Sequence, residues 1–100
     1  MVEIIWTEPV LSDMNGIAEY IALENVVAAK QLVQTVFTKV ERLVDFPESG
    51  RVPPELEHLN CCEVVVNPCR VFYKYDDEKV RILFVMRAER DLRRLMLTKQ

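Results

Sequence analysis

Residues 25–47, NVVAAKQLVQTVFTKVERLVDFP, decide how the rest of the chain is read. Ala29, Leu32, Val33, Val36, Phe37, Val40, Leu43 and Val44 recur at three and four residues, the spacing that puts them on one side of a helix. Asn25 stands where a side-chain oxygen can cap the first free N–H groups, so the helix is predicted to begin there. Phe46-Pro47 ends it, because proline has no N–H to give and restricts the residue before it.

Upstream, Val10, Met14, Ile17, Ala18 and Ile21 make a second stripe of the same period. Thr7 followed by Pro9 supplies its start, with Gly16 a mild cost inside it. Only a few residues separate the two stripes, which predicts an antiparallel helical hairpin. The opening run Val2-Glu3-Ile4-Ile5-Trp6 is short, β-branched and aromatic, and reads as a strand.

Downstream, residues 47–60 hold Pro47, Gly50, Pro53 and Pro54 and read as a loop. Three strand-like runs follow, Cys61–Val66, Cys69–Tyr75 and Lys79–Arg87, divided by the turn residues Asn67-Pro68 and Asp76-Asp77-Glu78. They predict an antiparallel meander. Strict alternation places Val80, Ile82, Phe84 and Met86 on one face as the floor for the hairpin, with Phe37 and Val40 against Ile82 and Phe84. Ala88–Met96 is predicted to form a short terminal helix, with Glu89 and Asp91 near its positive end. The expected architecture is α+β, a single domain over residues 1–100: an N-terminal strand, an antiparallel helical hairpin, a mainly antiparallel sheet completed by the meander, and a C-terminal helix.

Half of the 100 residues are hydrophobic and only 2 are glycine, which excludes the polar profile of a disordered chain. No apolar run approaches the roughly 20 residues that span a bilayer, and residues 1–6 lack the pattern of a signal peptide, so a cytoplasmic protein is expected. Cys61, Cys62 and Cys69 make an odd count, and neighbours on a strand point apart, so free thiols are expected rather than a Cys61–Cys62 bridge. The spacing of His58 and the three cysteines lacks the paired knuckles of zinc sites, and no metal or cofactor is expected.

The net charge of −3 conceals an asymmetry: residues 1–50 carry 3 basic and 8 acidic side chains, residues 51–100 carry 10 and 8. Arg87, Arg90, Arg93, Arg94 and Lys99 crowd the end. That cluster suits either a solvated helix face or a contact for an acidic partner, while the overall acidity argues against stable nucleic-acid binding. The sole His58 has no nucleophile pattern near it, and two glycines leave no phosphate loop.

Several phrases fall in one order along the chain: Trp6, Ala18-Glu19-Tyr20-Ile21-Ala22, Phe46-Pro47-x-x-Gly50-Arg51, Glu63-Val64-Val65-Val66, Arg70-Val71-Phe72-Tyr73-Lys74, and Val85-x-x-x-x-Arg90-Asp91. With the order of elements, they resemble the RelE/ParE superfamily of toxins from bacterial toxin-antitoxin and plasmid-stabilisation systems. The chain departs from the ParE pattern at Cys61-Cys62, Cys69 and Arg87.

The resemblance implies one of two activities. RelE-type members cut messenger RNA on the ribosome, and ParE-type members bind and poison DNA gyrase. Laid on this chain, the basic and tyrosine positions of the nuclease branch read Cys61, Glu63, Arg70, Ala88 and Arg94, so only Arg70 is kept. A carboxylate at Glu63 repels a phosphate, and Arg70 beside it can simply pair with it. The expectation is therefore a ParE-like gyrase inhibitor without catalytic residues, neutralised by a cognate antitoxin in a hetero-oligomer, with Arg87, Arg90, Arg93 and Arg94 as target-binding candidates. The alternatives are a RelE-like ribosome-dependent endoribonuclease using Arg70, or an inactive paralogue that keeps only antitoxin binding.

Overall fold

A computed structural model describes residues 2–53 and 61–87. Along them run strand β1 (Glu3–Ile5), helix α1 (Glu8–Ala22), helix α2 (Val26–Glu41), a 3-10 turn (Arg42–Val44), and strands β2 (Cys62–Val66), β3 (Cys69–Asp76) and β4 (Lys79–Arg87). The strands form one sheet in the order β1-β4-β3-β2. β1 lies parallel to β4, and the other neighbours are antiparallel. No helix among the described residues is long and apolar enough to cross a membrane.

Local chemistry sets the helix ends. Thr7 Oγ1 accepts from Val10 N–H and Asn25 Oδ1 from Ala28 N–H, each satisfying one of the donors a helix start leaves open. Val10 and Met14 of α1, and Ala29, Leu32, Val36 and Val40 of α2, are buried. The second stripe continues past Glu41 into the tighter 3-10 turn, which carries Leu43 into the core before Pro47.

The β3–β4 hairpin closes through Asp77 and Glu78, both in the left-handed region at φ 51° and 57°, as a two-residue turn between twisted strands requires. β2 and β3 join through Asn67-Pro68, whose peptide bond is cis. The terminal helix expected at Ala88–Met96 lies outside the described residues.

β4 breaks its own alternation. Tyr73 pairs with Ile82 but Phe72 pairs with Phe84, so Leu83 is an extra residue, a bulge between them. Val80 and Ile82 face the helices, and past the bulge the helix-facing residue is Val85, packed with Val71, Tyr73, Val36 and Val40. Phe84 and Met86 turn to the opposite, outer face, where they cluster with Phe72 and Cys61, the Phe72 and Phe84 rings 5.3 Å apart. The expected packing of Phe37 and Val40 on Ile82 and Phe84 is corrected accordingly: Val40 enters the core, and Phe84 does not face the hairpin. Phe37 stays 39% exposed and tilts against Trp6 at 5.0 Å between ring centroids.

Candidate functional site

Alternation on β2 and β3 puts Glu63, Arg70 and Phe72 on the outer face. Glu63 Oε2 accepts from Arg70 Nε at 2.7 Å and Nη2 at 2.6 Å, and its Oε1 accepts from Arg51 Nε at 2.5 Å. The carboxylate side chain is 0% exposed, Arg70 10% and Arg51 68%. A charge removed from water this completely needs a partner on each oxygen, and the two arginines provide them. Arg70 also lies over the Phe72 ring, 5.1 Å from its centroid.

Arg51 arrives from a distant loop. It exchanges both main-chain hydrogen bonds with Glu63, at 3.1 and 2.7 Å, forming an isolated antiparallel bridge outside β2. Gly50 makes this approach possible: a Cβ there would collide with the Tyr73 hydroxyl and come 2.9 Å from the Glu63 carbonyl oxygen. Tyr73 Oη donates to Pro47 O at 3.0 Å and accepts from Gly50 N–H at 2.9 Å. Burial pushes this phenol up to about 12. Segment 47–51 is thus tied to the sheet by a neutral tyrosine on the helix-facing side and by the buried carboxylate on the other.

This arrangement offers little to a phosphate. Cys61 is buried, and burial above all, with Cys62 beside it, pushes its thiol up, so it stays a neutral thiol near neutral pH. Glu63 presents an anion where a nuclease needs a cation, and Arg70 spends its fork on that anion. Ala88 and Arg94 lie outside the described residues. Cys61 and Cys62 pack into clusters on opposite faces of the sheet, and none of the three cysteines is in a disulfide.

Of the basic candidates at the chain's end, Arg87 is the last residue of β4 and Arg90, Arg93 and Arg94 lie outside the described residues. Because of the bulge Arg87 faces the helices, where its guanidinium sits 4.6 Å from the centroid of the Tyr20 ring. Between the first half of α1 and the end of β4 is a hollow of about 310 Å³ that includes Thr7, Asp13, Phe84 and Arg87.

A larger groove, about 580 Å³, follows the free side of β2 and is lined by Lys39, Arg42, Phe46, Arg51 and Val65 among others. Sequence reasoning did not single out these three cations. Lys39 and Arg42 are three residues apart on the polar side of α2 and its 3-10 extension, and Gly50-Arg51 stood inside a recognised phrase, but only the fold brings them together.

The family described as ParE toxin of type II toxin-antitoxin system, parDE, matches residues 4–92. The toxin RelE2 of Caulobacter vibrioides is 31% identical over 91 residues, covering 90% of this chain and 99% of that protein. A chain in the solved structure of the chromosomal ParDE TA system from P. aeruginosa superposes with a TM-score of 0.72 at 22% identity, covering 89% of this chain and 98% of that one. At that identity the likeness is one of fold.

Proposed function

The chain belongs to the ParE toxin family of type II toxin-antitoxin systems, and from that premise we propose that it acts by binding and inhibiting DNA gyrase in the cytoplasm, held inactive by an antitoxin encoded beside it. The observation that carries this reading is the locked Arg51–Glu63–Arg70 cluster. Arg70, the one nuclease-branch group retained, is turned inward onto a buried carboxylate, and a poison that works by binding needs a surface rather than proton-transfer groups. Arg87, Arg90, Arg93 and Arg94 are the proposed target contact. The name of the Caulobacter relative favours a second reading, a RelE-like endoribonuclease.

Production of the chain without its antitoxin is expected to halt growth with filamentation and DNA-damage signalling, while ribosome-bound messages stay intact. The purified protein is expected to inhibit gyrase supercoiling or trap cleaved DNA. Charge reversal at Arg90 and Arg94 weakens that effect and leaves the circular dichroism spectrum unchanged. Discrete cuts in ribosome-bound messenger RNA, with gyrase unimpaired, would establish the second reading instead.

A further inference from the structure

The helices cover one face of the sheet, yet the outer face is not open to water either. Phe72, Cys61 and Met86 cluster there, with Leu83 and Phe84 packed against them. Phe72 is 0% exposed, Cys61 1% and Met86 8%. All of these residues lie on strands or directly before one, and no helix residue joins the cluster. A ring in the middle of a bare sheet face keeps part of its surface in solvent, so a layer that the described residues do not supply lies over Phe72.

Apart from Met1, two stretches could supply it, residues 54–60 and 88–100. Residues 54–60 leave Pro53 and return to Cys61, both on the β2 side of the sheet, where Arg51 is bridged to Glu63. Tied at both ends, that loop reaches out roughly 13 Å at most. Met86 is two strands over from β2 and pairs with Arg70, whereas Cys62 pairs with Tyr73. Ordinary strand dimensions put Met86 about 10 Å across the sheet and about 13 Å along it from Cys61, beyond that reach. The chain after β4 starts in the right place, since Arg87 directly follows Met86. At helical spacing Leu92, Leu95 and Met96 fall on one side of it, and Arg90, Arg93 and Arg94 on the other.

We propose that residues 88–100 fold back over the outer face, with Leu92, Leu95 and Met96 against Phe72, Phe84 and Met86, and with Arg90, Arg93 and Arg94 turned to solvent. The chain's own end then closes the face that carries Glu63 and Arg70, leaving a substrate no room there, and displays the three arginines together on its far side. The placement rests on burial and on the path of the chain, and it holds whichever target the toxin attacks.

The test is oxidation of the full chain by hydrogen peroxide, with sulfoxide formation followed at each methionine by mass spectrometry. Met86 lies under the proposed cover, and Met14, 6% exposed in the core beneath the hairpin, reports on the intact fold. Leu92→Asp/Leu95→Asp is expected to speed oxidation of Met86 at least about tenfold and leave Met14 protected, while Arg93→Ala/Arg94→Ala changes neither. Should the aspartate variant unfold and expose Met14 as well, a benzophenone side chain in place of Leu95 reads the same contact by photo-crosslinking to Phe84 or Met86 within one chain. Unchanged oxidation of Met86, or crosslinks that form only between chains or only to the helices, overturns the proposal. So does exposure of Met86 by Leu56→Asp/Leu59→Asp and not by Leu92→Asp/Leu95→Asp, which makes residues 54–60 the cover.

Discussion

Glu63 and Tyr73 fasten segment 47–51 from opposite faces of the sheet, and each can be tested alone. Glu63→Ala takes from the buried Arg70 the carboxylate that both its Nε and Nη2 reach, an expected loss of roughly 3–5 kcal/mol in denaturant unfolding. Arg51→Ala removes a side chain 68% exposed to solvent and should cost about 1 kcal/mol or less. Tyr73 sets a pH dependence. Its phenol ionises near 10 when unfolded and near 12 when folded, so between those values the unfolded chain sheds the proton first. The contribution of Tyr73 to stability should therefore fall by about 1.4 kcal/mol per pH unit across that window, seen as a declining melting temperature, and Tyr73→Phe should make the decline shallower. The Glu63–Arg70 pair was legible in sequence because both residues sit on adjacent strands joined by a short turn. Arg51 was not, since an isolated bridge carries no periodic signal.

At the scale of elements, both helix starts and the two stripes could be read directly, because capping and period are local properties. Lateral packing could not. The stripe counts Phe37 as inward, yet that ring lies at its margin against Trp6, while Val36 beside it is fully enclosed. Phe37→Ala is accordingly expected to cost only about 1–2 kcal/mol, for loss of partial burial and one ring contact. Val36→Ala, which opens a cavity under α2, should cost about 2–3 kcal/mol despite deleting far fewer atoms. Equal losses in thermal or denaturant unfolding would contradict this ordering. The meander's turns were equally plain in Asn67-Pro68 and Asp77-Glu78, but nothing in Val80–Arg87 announces that one residue is surplus.

For the molecule as a whole, the open edge of β2, ending in Val64-Val65-Val66, and the cations of the groove beside it act in opposition. Like charges on approaching copies keep the edges apart in dilute buffer, and salt of ~1 M shrinks the screening length to ~3 Å and removes that protection. Light scattering by the isolated chain is expected to rise with salt, and Val65→Lys should suppress the rise more than a surface lysine placed elsewhere. The bulge at Leu83 has a reach of its own. Every residue from Phe84 onward takes its orientation from that insertion, so Val85 joins the core and Arg87 meets Tyr20 through the length of the strand and not through the identity of any side chain. Substitution scanning along β4 would pass over this dependence. Removing Leu83 would make the ladder regular and keep Val85 and Arg87 on the helix-facing side, whereas pairing Leu83 within the ladder would send both outward and bring Phe84 and Met86 beneath the hairpin. The direction in which the final residues of the strand face is thus stored as a parity, one count of backbone units between Ile82 and Phe84.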